Sequence, residues 1–256
     1  MSFIFDGQRL SDFGYIEFFD GLRSENLAVS TMTYETIKSA LSDISYKVNH
    51  TYESNYSTTL MIMKNPCEDV DEMWMTEDDI SVLTRWLVRK TYKWFKYTDS
   101  NVWYKVQNAV EKIYEGDNVI GLSVTVNANA PFGFTPEIVN KWDDDEKVIN
   151  VVTDEEGIIA PNFTIVANES GDLVIGNTRS SMSTEINNVN ANEIINIYGE
   201  GLYQISSSDT SHNIADDFNY VFPKLYSAYN NNANTITTNL NCDITMTYRG
   251  IRKVGL

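Results

Sequence analysis

The 256-residue chain carries 36 acidic against 19 basic residues, a formal charge of −17 that repels a phosphate backbone and disfavours nucleic-acid binding as an activity. Its 42% hydrophobic and 12% aromatic content removes the signature of disorder, and its length favours two cores over one. No run approaches the roughly 18 apolar residues of a membrane span, and the opening MSFIFDGQRL lacks a basic region followed by an apolar stretch, so the expectation is a globular protein without a classical export signal or membrane insertion.

In chain order, the first segment reads as strand, turn, strand: Phe3 to Phe5, the turn dipeptide Asp6-Gly7, then Gly14 to Phe18, with another turn at Asp20-Gly21. Ser45 to Lys64 is rich in Tyr, Thr, Val and Ile and predicts a pair of long strands. The spacing predicts one principal helix over Thr76 to Lys90. Thr76 is its N-cap, Glu77, Asp78 and Asp79 complement the positive end of the dipole, and Arg85, Arg89 and Lys90 the negative end. Ile80, Leu83 and Leu87, flanked by Trp86, form the apolar stripe that packs on a sheet.

Aromatic-rich strands follow in TYKWFKY and VWYKVQNAVEKIYEG. In GLSVTVNANAPFGF the residues Leu122, Val124, Val126 and Ala128 alternate with Ser123, Thr125 and Asn127 until Pro131 stops the ladder, as in a half-buried antiparallel strand. The acidic runs Asp143 to Glu146 and Asp154 to Glu156 suggest a linker near residues 134 to 157, between domains spanning 1–135 and 136–256. Beyond it, FTIVAN, DLVIGN, EIINIYGEG, LYQIS, TITTN and DITMTYR are short strands with turns at NESGD and YGEG, the pattern of a β-sandwich. The fold class is therefore mostly β with one principal α-helix.

Residues able to carry chemistry are sparse. Cys67 and Cys242 are too few and too far apart for a disulfide framework or a metal knuckle, and Cys67 sits beside Glu68 and Asp69, which disfavour a thiolate. The two histidines are His50, in a strand-like stretch, and His212, in a loop with Ser206, Ser207, Ser208, Asp209 and Asp216. A Ser/His/Asp arrangement can be drawn in that loop, but no G-x-S-x-G elbow precedes it, and Ser and Asp cluster in loops because they cap and turn the backbone. Asp143 to Glu146 lacks the alternation and central glycine of a calcium loop. Glycosidase chemistry needs only two carboxylates, and sequence cannot single out a pair among 36 acids. Trp74, Trp86, Trp94 and Trp103 read as packing rather than as a sugar platform. The sequons at Asn49, Asn55, Asn162 and Asn168 carry no weight without a secretory route. No phosphate-binding loop or dinucleotide fingerprint is present, and no cofactor or metal is expected.

The ordered set FIFDGQRLSDFGYIEF, containing Asp6 and Gly7, then Arg85-Trp86-Leu87, Pro131-Phe132-Gly133-Phe134 and Tyr248-Arg249-Gly250-Ile251-Arg252-Lys253 resembles the distal tail protein family of phages with long non-contractile tails. Ala160-Pro161-Asn162-Phe163 and the stretch from Ser206 to Asp217-Phe218-Asn219 resemble that family's second domain. The resemblance implies an N-terminal β-domain with a packed helix that forms a ring. It also implies a C-terminal galectin-like or carbohydrate-module-like β-sandwich, with the last strand either pairing within it or returning to the first domain. It implies a non-enzymatic subunit of the virion tail tip, assembled in the host bacterial cytoplasm as a homo-hexameric ring. That ring joins the tail tube protein to the tail-associated lysin or fibre hub protein and to receptor-binding proteins, with DNA only as passing cargo. Acidic residues facing the ring lumen would keep that DNA from sticking. The rival reading is a carbohydrate-binding module or lectin for host cell-wall saccharide.

Overall fold

The computed structural model describes residues 2–18, 32–38, 45–67, 73–199 and 201–253. Two compact units account for the chain: Met1–Phe134 with Arg252–Leu256, and Thr135–Ile251.

The first unit contains β1 (Phe3–Phe5), β2 (Gln8–Arg9), a short 3-10 helix (Leu10–Phe13), β3 (Tyr15–Phe18), β4 (Met32–Lys38), β5 (Ser45–Tyr52), β6 (Ser57–Lys64), α1 (Glu77–Leu87), β7 (Lys93–Tyr97), β8 (Tyr104–Glu115), β9 (Asn118–Ala128) and β10 (Gly133–Phe134). Seven of these strands form one sheet in the order β2-β1-β7-β8-β9-β6-β3. Asp6 and Gly7 both have positive φ (50° and 80°), the two-residue hairpin turn whose twist suits its flanking strands. That turn returns the chain onto Gln8–Arg9. The predicted second strand, Tyr15–Phe18, instead pairs with Ser57–Lys64 at the opposite edge, because the 3-10 helix redirects the chain.

The two strands read in Ser45 to Lys64 both exist, but they do not pair with each other. β5 pairs with β4 in a separate two-stranded ribbon, while β6 sits between β9 and β3. The expected turn at Asp20-Gly21 lies outside the described residues, as does Glu200 of the YGEG turn.

The helix forms where periodicity places it, one residue later at its start and three shorter at its end. Thr76 Oγ1 accepts from the Asp79 amide at 3.2 Å, and Asp79 Oδ2 accepts from the Thr76 amide at 2.8 Å. This reciprocal box satisfies two amide donors at the helix start. Ile80, Leu83, Trp86 and Leu87 are buried in one core with Phe3, Phe5, Val106, Leu122 and Val124. On β9 the alternation holds throughout, with Leu122, Val124, Val126 and Ala128 all buried.

The second unit is a sandwich. Its first sheet has the order β11 (Ile138–Trp142), β21 (Cys242–Tyr248), β14 (Asn162–Ala167), β17 (Ile194–Tyr198), β18 (Gln204–Ser207). The second has the order β12 (Glu146–Asn150), β20 (Ala233–Thr238), β15 (Gly171–Asn177), β16 (Thr184–Val189). β13 (Gly157–Ile159) pairs with β19 (Leu225–Ser227), and α2 is a single turn, Ile214–Asp217. Inward residues of both sheets, among them Trp142, Phe163, Ile195 and Ile244 from one and Ile149, Leu173, Ile175 and Ile236 from the other, share one core.

The expected linker at 134 to 157 is corrected by these strands. β11 and β12 lie inside the sandwich, with Trp142, Ile149 and Val151 buried, and Asp143 to Asp145 is the exposed crossing from one sheet to the other. A polar crossing between sheets has the same composition as a polar linker between domains. The stretch from Cys242 to Tyr248 pairs within this unit, between β11 and β14.

Candidate functional site

In the first unit the motif residues converge on packing. Trp86 is 3% exposed, donates from Nε1 to the Phe5 carbonyl at 3.1 Å, and stacks against Phe13 at 4.5 Å and Phe3 at 5.8 Å. Leu87 is fully buried beside it, whereas Arg85 points to solvent. Asp6 receives Arg89 and Lys93, each at 3.3 Å, so the hairpin turn is tied to the end of the helix region and to β7.

Pro131 and Phe132 follow β9, and Phe132 meets the ring of Tyr52 at 5.7 Å and that of Phe134 at 5.6 Å. Phe134 exchanges two backbone hydrogen bonds with Trp103 (2.9 and 2.7 Å) and packs edge-on to Trp94 at 5.8 Å. A Cβ on Gly133 would lie 2.1 Å from Val102 Cγ1, so this position is closed to any side chain. The sequence motif is a close backbone approach sealed by aromatic rings, with no reactive group in it.

A second polar constellation in this unit surrounds Asp79. Its carboxylate takes the Lys64 ammonium at 3.0 Å and the Tyr15 hydroxyl at 2.9 Å. Partial burial opposes ionisation, but the Thr76, Lys64 and Tyr15 hydrogen bonds outweigh it and hold Asp79 at about 2. Burial, and then the Asp79 charge, push the Tyr15 hydroxyl well above its usual range.

In the second unit the loop that suggested a triad arranges its residues otherwise. Ser207 Oγ donates to Glu193 Oε1, not to His212. His212 Nδ1 lies 2.6 Å from the same Glu193 oxygen, and Nε2 lies 3.2 Å from Asp217 Oδ2, at ion-pair range but off the line of a directed hydrogen bond. Glu193 Oε2 accepts from the Asn190 amide at 2.9 Å. Asp209 accepts from the Ser211 amide and hydroxyl at 2.8 and 2.6 Å, and Asp216 from Asn213 at 2.6 Å. The acids cap backbone and anchor the loop. His212 stands between two carboxylates with no hydroxyl on it to activate.

Burial of the imidazole disfavours its charge, but the hydrogen bond and charge of Glu193, together with Asp217 and the backbone at Asn187, outweigh that and raise its pKa above the ordinary value. Glu193, which sequence reasoning passed over as part of a strand, is the hub of this cluster, its side chain fully buried. Its signal was Asn190-x-x-Glu193, a reciprocal turn in which Glu193 N also donates to Asn190 O at 3.1 Å.

Phe218 is buried beside Phe222 (5.2 Å) and Tyr220 (5.4 Å), and Asn219 holds the chain by donating to the Ser183 carbonyl at 2.9 Å. Tyr248 is buried in the sandwich core with its hydroxyl accepting from the Val152 amide at 3.3 Å. Arg249 donates to the Thr135 carbonyl at 3.0 Å, and Gly250 and Thr135 exchange hydrogen bonds of 2.9 and 2.8 Å. A Cβ on Gly250 would fall 1.8 Å from the Val152 carbonyl oxygen. This closing motif therefore fastens the point where the chain leaves the sandwich to the point where it entered.

Among the described residues no group of three or more His, Cys, Asp or Glu is placed to hold a metal ion, and no helix is long and apolar enough to cross a membrane. Cys67 is exposed and Cys242 buried, both as free thiols.

Comparison with known proteins places this geometry. The fold is similar to the crystal structure of the Dit protein (gp 19.1) of phage SPP1, described as a paradigm of the hub adsorption apparatus in phages infecting Gram-positive bacteria. The TM-score is 0.63 at 12% identity, over 97% of this chain and 98% of that one. It is also similar to a chain in the phage P2 baseplate in its activated conformation with Ca, with a TM-score of 0.57 at 9% identity over 96% and 94% of the two chains. The same baseplate with Sr gives 0.55 at 9% identity over 96% and 97%. No curated protein matches by sequence. Residues 1–130 match the family described as phage tail protein N-terminal domain, and residues 133–248 the one described as phage tail C-terminal domain, so the chain belongs to this family of phage tail proteins.

Proposed function

We propose that this phage tail protein is a structural, non-enzymatic subunit of the tail tip, placed in the virion at the junction of tail tube and host-recognition apparatus. The observation that carries this reading is full-length likeness: both units together follow the SPP1 hub protein over 97% of this chain. In this reading the first unit builds a homo-hexameric ring, and the second is a galectin-like sandwich carried by it. The partners are the tail tube protein, the tail-associated lysin or fibre hub protein and receptor-binding proteins, met during assembly in the host cytoplasm.

Two features support an assembling role. The β4–β5 ribbon pairs only with itself among the described strands and exposes Tyr34 and Ile37, and a two-stranded ribbon gains stability from further pairing or cover. The polar clusters at Asp79 and His212 are spent on capping and loop anchoring, which fits a scaffold.

Light scattering on the purified full chain tests the reading. A stable hexamer supports it, and a strict monomer even with the tube and lysin partners present overturns it. Zymography on peptidoglycan tests the non-enzymatic part, since a cleared band would assign a hydrolase.

A further inference from the structure

Three loops of the second unit meet at one surface. The tip of the β17–β18 hairpin carries Leu202 and Tyr203, the turn before β16 carries Met182, and the segment from Phe218 to Lys224 links the two. Phe222 packs edge-on to Tyr203 at 5.4 Å and lines one pocket with Met182, and ring contacts of 5.2 and 5.4 Å lead from Phe222 through Phe218 to Tyr220. Tyr220, Leu202, Met182 and Tyr203 are 68, 67, 65 and 57% exposed, a cluster of large apolar side chains outside a core that closes without them.

Two of these residues sit on backbone that tyrosine disfavours. Tyr203 and Tyr220 have φ of 46° and 59°, whereas the other non-glycine residues with positive φ among the described residues are Asp6 and three asparagines, the types that tolerate it. Such strain persists where the side chain gains elsewhere. A ring left mostly in solvent gains little on folding, so the gain falls to an interaction at the surface. Tyr220 donates its hydroxyl to the Ala215 carbonyl at 2.8 Å, which fixes its ring without burying it. Beside these rings a pocket opens between Met182, Val221, Phe222 and Pro223, with buried Ile175 and Ile236 at its floor. Asn177 and Ser180 also line it but are engaged, Asn177 Nδ2 with the Lys224 carbonyl and Asn234 Oδ1, Ser180 Oγ with the Met182 carbonyl, so the open surface is chiefly apolar.

Charge selects what covers this surface. Residues 135–251 hold 17 acidic against 5 basic side chains. Exposed Glu185, whose carbonyl takes the Asn219 amide, and exposed Asp216, next to Ala215, flank the cluster, and one cation, Lys224, lines the pocket. A second copy of this acidic unit and an anionic lipid surface are both repelled. An apolar side chain with a cation next to it suits both the pocket and the rim, since anchors seated in pockets carry most of a protein interface and complementary charge orients it. We propose that this surface docks another protein of the phage tail, which seats an apolar side chain in the pocket and against Tyr203 and sets lysine or arginine beside Glu185 and Asp216. The docking needs a second tail protein but no ring, so it stands apart from the hexamer.

The test immobilises the other tail proteins of the same virion, each purified singly, and titrates them with the full chain. Saturable binding to one of them, weakening as salt rises, is expected. Leu202→Ser and Tyr203→Asn should each weaken that binding at least about tenfold, a step of about 1.4 kcal/mol. The melting temperature should hold for Leu202→Ser and hold or rise for Tyr203→Asn, because asparagine accepts the left-handed backbone. Glu185→Lys should weaken binding too, whereas Val139→Ser, at the far edge of the five-stranded sheet and 51% exposed, should leave it unaltered. Binding to none of the tail proteins, binding indifferent to Leu202→Ser and Tyr203→Asn, or binding strengthened by salt or by Glu185→Lys overturns the proposal. Light scattering on Tyr203→Asn reads ring assembly separately. A hexamer that persists while partner binding is lost supports the docking surface, and a hexamer lost with it assigns the cluster to contacts between copies and overturns the proposal.

Discussion

The two units solve the same burial problem with different materials. The first packs Trp86, Phe3, Phe5, Phe95 and one helix on a single sheet, whereas the second closes two sheets on each other around a core of mostly aliphatic residues with Trp142, Phe163, Phe218 and Tyr248 among them. Their charges differ as well. The second unit holds 17 acidic and 5 basic residues, the remainder of the chain 19 and 14, so most of the −17 belongs to the sandwich. If the first unit builds the ring, repulsion of passing DNA rests on that unit's own small surplus rather than on the charge of the whole chain. The lesson is that a net charge becomes an argument only after it is divided among folded units.

The comparison can be broken most sharply at Trp86. Trp86→Ala removes the ring that three phenylalanines pack on and the donor to the Phe5 carbonyl, a loss of about 3–5 kcal/mol. Calorimetry should show the first unit's transition falling by many degrees while the second unit's transition stays in place. A common shift of both would mean that the units melt as one.

Asn234 is the counterpart in the sandwich. It is 0% exposed, takes the Tyr226 amide at 2.8 Å, and donates to the Tyr226 and Asn232 carbonyls at 2.8 and 3.0 Å. Asn234→Ala takes that acceptor from the Tyr226 amide, while the Tyr226 and Asn232 carbonyls keep Arg179 and the Val151 amide as donors, so the cost is about 1–3 kcal/mol for the one amide left unsatisfied. Calorimetry should show only the second unit's transition lowered.

Acid separates the units next. The Asp79 carboxyl is held at about 2 in the folded state against 3.8 ordinarily, so its contribution, on the order of 2 kcal/mol, is present above about pH 4 and lost as pH falls toward 2. Asp79→Asn should flatten that loss in the first unit's melting curve.

The smallest effect is a slope at the other end of the scale. His212 has a raised folded pKa, so its contribution to the sandwich is complete below the unfolded value of about 6.5 and fades as pH rises through the folded value. With two histidines in the chain, proton NMR resolves the titration, and His212→Gln identifies which signal is lost. A His212 midpoint at or below 6.5 would remove the charge from the Glu193 pair.

How much of this was legible follows from the range of each interaction. The helix was readable because Thr76, Asp79 and the stripe from Ile80 to Leu87 are local signals, and β9 because Leu122 to Ala128 repeat every second residue without interruption. β16 was missed because Asn187 and Asn188 interrupt its pattern, Asn188 with a φ of 56°. The strands at 138–150 were missed because their acidic tip has the composition of a linker. Glu193 and His212 meet across 19 residues of sequence through the pairing of β17 with β18, which no short window contains.

Thr135 and Gly250 are hydrogen-bonded neighbours, so the sandwich has a single doorway through which the polypeptide both arrives and departs. A cassette with adjoining ends can be cut out and its stumps rejoined by a few flexible residues, since closing so short a gap costs little chain entropy. The same doorway would accept a foreign module grafted in its place, making this position the natural one at which to change what the tail protein displays.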